Sequence, residues 1–212
     1  MCRLLAVKSE KEFKVSEHLK KFAYISEHSK EYQGHGWGLA YLAGDEWKVY
    51  KNIKPIWEDD LKRFGSTRFL IAHARSAFRD KGIKVENNMP FFEEPYLFIF
   101  NGELEGVKIK EEGRIGAEKI FHFIKRFSKY GMNSALLKAV PIIKKRTGYI
   151  KAMNIVIADK ESIYLSTLFN ERPSYFTMHH KRINGDLMVC SEPYPGEEGW
   201  LKVKNDTIME LK

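Results

Sequence analysis

Short apolar runs bounded by turn residues fill both ends of this chain, and a stretch of helical periodicity lies between them. Residues 4–7, 37–42, 47–50, 68–74 and 96–100 are rich in aromatic and branched side chains and are flanked by Gly, Asp, Asn or Pro, the pattern of strands. Residues 16–30 carry Leu19, Phe22, Ala23 and Ser26 at helical spacing, with Ser16 expected as the N-cap. From 116 to 130, Ala117, Ile120, Phe121, Ile124 and Phe127 form a second apolar stripe that leaves Glu118, Lys119, Lys125 and Lys129 outside. A further helix is expected after Gly131, with Asn133 as its N-cap, Leu136, Leu137 and Val140 facing inward, and Pro141 kinking or interrupting it. The tail returns to strands at 152–158, 162–168, 174–179, 187–190 and 200–203. Strands, an adjacent helix pair and strands again imply an α+β fold in which two sheets pack face to face under outer helices. One domain over residues 1–212 is expected.

Composition excludes several classes of function. The chain is 43% hydrophobic with no apolar run near the ~18 residues of a membrane span. Residues 1–7 lack the basic segment and long apolar core of a secretory signal, and two cysteines make no disulfide framework, so a cytoplasmic protein is expected. The net charge of +8 is spread in short clusters such as Lys144-Lys145-Arg146, which suits a solvated surface and not a nucleic-acid footprint. No membrane or nucleic-acid partner is therefore expected. His179 and His180 point to opposite faces of a strand and lack companions at ligand spacing, so no metal or cofactor is implied. Cys190 reads as a small buried side chain.

Cys2 reads differently. Removal of Met1 would place a thiol and a free α-amine on one residue, a nucleophile together with its base. The amine titrates near ~7.7–8.0 and the thiol near ~8.5, so the amine takes the thiol proton at neutral pH. With Met1 attached, that nitrogen is an amide and accepts no proton.

Further strings follow in order: Gly36-Trp37-Gly38, Ala72-His73-Ala74-Arg75, Glu86-Asn87-Asn88-Met89-Pro90-Phe91 and Asn101-Gly102-Glu103-Leu104. With Met1-Cys2-Arg3-Leu4-Leu5 they resemble, over the whole chain, the class II glutamine amidotransferase domain of the N-terminal-nucleophile hydrolases. Cys190-Ser191-Glu192-Pro193 and Trp200 resemble its stand-alone amidotransferase-like branch. The resemblance implies the four-layer αββα sandwich of two mainly antiparallel sheets known as the Ntn-hydrolase fold. It assigns catalysis to Cys2, with the Asn101 carboxamide and the Gly102 backbone N–H as the oxyanion hole. It assigns Arg75 to a substrate α-carboxylate, for which a planar guanidinium offers a matched fork. Ser76, Trp37 and His73 complete the expected substrate-binding set, with Trp37 open between pocket wall and strand packing, and His73 structural in preference to catalytic.

Four positions depart from the family pattern. Gly116 stands where an Asp holds the α-ammonium of glutamine, Phe100 and Met89 stand where His is usual, and His35 replaces an Asp before Gly-Trp-Gly. The expected activity is a cysteine amidohydrolase of glutaminase type that passes through a thioester on Cys2, with glutamine as the default substrate. A γ-glutamyl amide hydrolase and a catalytically lapsed binding or regulatory subunit remain as alternatives. A separate ammonia-accepting protein and a homo-oligomer are left open, as is the choice between a lid and an ordered loop for residues 81–94.

Overall fold

The computed structural model describes residues 1–212, the side chain of Asp80 excepted. The elements run β1 (Arg3–Lys14), α1 (Val15–Glu27), β2 (Trp37–Ala43), β3 (Glu46–Asn52), β4 (Ser66–Ala74), β5 (Phe91–Glu93), β6 (Tyr96–Glu105), α2 (Gly116–Lys125), α3 (Met132–Lys145), β7 (Tyr149–Ala158), β8 (Ile163–Thr167), α4 (Pro173–Phe176), β9 (His179–Ile183), β10 (Asp186–Cys190), β11 (Leu201–Lys202) and β12 (Thr207–Leu211). A seven-stranded sheet has the order β11-β9-β10-β1-β4-β2-β3, and a five-stranded sheet has the order β12-β8-β7-β6-β5. All the strand pairings between them are antiparallel.

The two-residue period of the strands sorts the first sheet into two faces. Leu4 and Ala6 of β1, with Phe69 and Ile71 of β4, pack into the layer shared with the second sheet. Leu5, Val7, Leu70 and Ala72 point the other way and are covered by Leu19, Phe22 and Ala23 of α1. The second sheet is buried on both faces, so β6 and β7 read as near-continuous apolar runs. Phe98 and Phe100 of β6 lie on its outer face, where Phe98 stacks on Phe121 of α2 with ring centroids 4.9 Å apart. The result is a four-layer αββα sandwich.

Several local expectations change. The stripe over 116–130 is helical to Lys125 and ends in a 3₁₀ turn at Ser128–Tyr130. Pro141 sits inside α3 without ending it, because it lies on the solvent face with Leu137, which is 56% exposed and not inward as expected. Water can then satisfy the carbonyl that proline leaves unpaired. Helix α1 begins at Val15 with Lys14 as N-cap, so Ser16 is already in the first turn, and α3 begins at Met132, ahead of Asn133. The strand expected over 174–179 is instead the short helix α4, where Pro173 at the first helical position follows Arg172 in the left-handed region at φ 48°. Strand β12 was absent from the sequence pattern.

Candidate active site

Cys2 precedes β1 at the end of the seven-stranded sheet where β4 runs out into Arg75 and Ser76. The Ser76 backbone brackets the thiol: its N–H donates to Sγ at 3.5 Å, and Sγ lies 3.6 Å from its carbonyl oxygen. Beside them is a cavity of about 170 Å³ lined by Met1, Cys2, Ser76, Gly102, Glu103 and Lys151 among others. Cys2 from one sheet and Gly102 from the other thus share one space. Lys151 and Glu103 pair across its edge at 3.2 Å.

The pleat of β6 puts Asn101 on the face opposite Phe98 and Phe100, toward the first sheet. It is fully buried, and neither atom of its carboxamide has a hydrogen-bond partner. Asn154, directly across the ladder on β7, is as deeply buried but fully used. Its Nδ2 donates to the Phe176 carbonyl at 2.7 Å, and its Oδ1 accepts from Thr167 at 2.6 Å. An orphaned buried polar group costs about 1–3 kcal/mol, and Asn101 carries two such atoms where Asn154 carries none. Gly102 is required by close approach: a Cβ there would lie 2.2 Å from the Ala152 carbonyl oxygen.

His73, paired with Leu4 near the end of β4, faces the inner layer, and Arg75 follows just beyond the strand. Arg75 is 5% exposed, and its Nη1 donates to Asn88 Oδ1 at 3.4 Å. Among the described residues no carboxylate pairs with it. Burial holds its pKa below the usual value, and the charge of Cys2 opposes that shift. His73 is completely buried, and burial pushes its pKa down to about 3, with Arg75 adding to the shift. The Phe100 carbonyl opposes it, although neither ring nitrogen makes a hydrogen bond of normal geometry. Burial thus favours the neutral form of the His73 ring.

Trp37 pairs with Ala74, which points away from the inner face, so its ring lies in the α1-side core and not against the cavity. Its Nε1 donates to Asp59 Oδ2 at 3.0 Å. The small residues of its motif serve a different contact. A Cβ on Gly38 would lie 2.5 Å from the Met89 carbonyl oxygen, and Gly36, at φ 101°, abuts Asn88. The two glycines admit the 88–89 segment that carries the anchor of Arg75.

The four departing positions are visible in place. Phe100 and Met89 are buried among apolar side chains, and the Ala77 N–H donates to His35 Nδ1 at 2.9 Å, holding the loop after Arg75. Gly116 opens α2, where Arg114 and Glu118 pair with each other. Half-buried Lys51 has its pKa lowered to about 8, chiefly by burial and then by Arg114.

Sequence reasoning did not single out Gln33, Tyr175 or Arg3. Gln33 Nε2 donates to the Met1 carbonyl at 2.6 Å, and the Tyr175 hydroxyl donates to the same oxygen. Arg3 pairs with Glu192 and lies 4.3 Å from the Tyr175 ring centroid. Ser191 Oγ accepts from Leu4 N–H at 3.0 Å. The Cys190-Ser191-Glu192 string therefore braces the strand that presents Cys2. Cys190 itself is fully buried, and burial pushes its thiol up to about 12.

The same arrangement of sheets recurs in solved structures. A glutamine aminotransferase class-II domain protein from Silicibacter pomeroyi superposes with a TM-score of 0.70 over 99% of this chain and 94% of that one, at 14% identity. The chain has the fold of class II glutamine amidotransferase domains. Glutamine phosphoribosylpyrophosphate amidotransferase from B. subtilis matches at a TM-score of 0.71 and 13% identity, with all of this chain covering 49% of that enzyme. A protein described as a predicted glutamine amidotransferase from Pseudomonas aeruginosa matches at a TM-score of 0.60 and 15% identity, over 99% and 96% of the two chains. No protein-family model and no curated protein matches the sequence. No helix among the described residues of this amidotransferase fold is long and apolar enough to cross a membrane.

Proposed function

We propose that this chain is a cysteine-dependent amidohydrolase of the glutaminase type, acting in the cytoplasm after loss of Met1. The freed α-amine of Cys2 takes the thiol proton, and Sγ attacks a side-chain amide carbonyl. The oxyanion is received by the Asn101 carboxamide and the Gly102 N–H, while Arg75 holds a carboxylate of the substrate. The amine returns the proton to the leaving nitrogen and then serves as base for water, which hydrolyses the thioester. Glutamine is the default substrate, and the ammonia passes to solvent or to a separate acceptor protein.

The observation that carries this reading is the fully buried, unpartnered carboxamide of Asn101 beside Gly102, which shares its cavity with Cys2. The apolar Phe100 and Met89 and the bare Gly116 favour a second reading, a domain that binds without catalysis. Intact mass before and after treatment with a diazo-ketone analogue of glutamine separates the two. The proposal expects loss of one methionine and a single adduct on Cys2. Retained Met1 with no adduct overturns it in favour of the binding subunit.

A further inference from the structure

The cleavage proposed above dictates where its leaving group must lie. The departing nitrogen receives its proton from the Cys2 α-amine, so the two nitrogens stand within hydrogen-bond reach as the C–N bond breaks. Met1 is bonded to that same Cys2 nitrogen. The space filled by Met1 therefore begins where the leaving group begins.

That space has a defined shape and chemistry. The Met1 side chain is 12% exposed and packs among Ala152, Phe169, Tyr175 and Phe176. Its carbonyl oxygen takes hydrogen bonds from Gln33 Nε2 and from the Tyr175 hydroxyl. Gln33 is fully buried, and its Oε1 has no partner. The Tyr175 ring lies 4.3 Å from the guanidinium of Arg3, which pairs with Glu192, and 4.8 Å from that of Arg172, which pairs with Glu31, so the charge around the Met1 oxygen is balanced and the donors there are Gln33 and Tyr175. The walls stand on fixed supports: Ala152 belongs to β7, and the carbonyl of Phe176 is tied to Asn154 at 2.7 Å. Loss of Met1 leaves a lined slot with two hydrogen-bond donors at its mouth.

We propose that this slot is the leaving-group subsite, and that it takes an amino acid with an unbranched apolar side chain. The inference rests on the proposed function and names its substrate class: γ-glutamyl dipeptides with an apolar second residue, cleaved in preference to glutamine. The side chain enters among Phe169, Phe176 and Ala152. The carboxylate meets the donors of Gln33 and Tyr175 that Met1 now occupies. Sγ bonds to the γ-carbonyl carbon, the C–N bond breaks, and the amino acid departs with the proton that the thiol had given to the α-amine. Water then adds to the thioester and the C–S bond breaks. The products are glutamate and a free apolar amino acid, with the thiol restored.

The test uses protein whose intact mass shows loss of Met1. Turnover is measured for glutamine and for γ-glutamyl dipeptides ending in glycine, alanine, 2-aminobutyrate, norvaline and norleucine. The expected kcat/KM rises about fourfold per methylene along the series, and Phe169→Ser flattens the rise. A flat series with glutamine still turned over overturns the subsite and leaves the proposed function standing. No turnover of any member, with no diazo-ketone adduct on Cys2, overturns both.

Discussion

Replacing His73 by leucine should remove a large part of the protein's sensitivity to acid. The ring is completely buried in the layer between the sheets, and its pKa is lowered to about 3 by burial, with Arg75 nearby. In the unfolded chain it titrates near ~6.5. As pH falls through that value the unfolded state binds a proton and the folded state does not, so stability drops with falling pH down to about 3. Between pH 7 and pH 4 the two states differ over about 2.5 pH units, which at ~1.36 kcal/mol per unit is a loss of about 3 kcal/mol. Native carboxylates and His18, whose pKa burial lowers to about 4, add their own losses, but these are common to both proteins. Leucine gives up the ring's contact with the Phe100 carbonyl, which is not a hydrogen bond of normal geometry. Urea unfolding at the two pH values gives the comparison. The wild type should lose about 3 kcal/mol more than His73→Leu on going to pH 4. Equal losses would refute the assignment of a neutral, desolvated imidazole to this site.

Two further outcomes follow from the same geometry. Asn101→Ala should lower the amidase rate about 100- to 1000-fold in a stopped ammonia or glutamate assay, while Cys2 still alkylates at the wild-type rate, because the lost donor acts on the oxyanion and not on the thiol. Gly38→Ala should cost about 1–3 kcal/mol in thermal unfolding, since its Cβ would meet the Met89 carbonyl at 2.5 Å and push out the segment that anchors Arg75. A variant as stable as the wild type would show that the 88–89 segment yields freely.

The layers were legible because hydrophobic period and strand composition survive in single sequences: β1, β2, β4 and β6 all lie where short branched and aromatic runs occur. The polar continuation of β1 through Ser9, Glu10, Lys11 and Glu12 and the edge strand β12 were not legible, since edge and solvent-facing segments carry no alternation of burial. Helix α4 was missed because aromatic Tyr175 and Phe176 mimic a strand, while Pro173 outweighs them locally. Cys2, Ser76 and Gly102, which motifs singled out in the sequence, line one cavity. Trp37 could not be assigned, because its face depends on strand register: one residue decides between cavity and core. Gln33 and Tyr175 stand far apart in sequence and meet only through the chain terminus, so no local signal joins them. The orphaned Gln33 Oε1 is visible only in three dimensions.

Cys2 hangs from one sheet, and Asn101 and Gly102 hang from the other. Their separation is therefore the thickness of the apolar filling between them, built from Leu4, Ile71 and Ile99. Under the proposed chemistry, reactivity gauges interior packing, since an added carbon in that filling would move the two sheets apart. Drift in the buried layer can silence or retune such a site while every residue at its mouth stays unchanged.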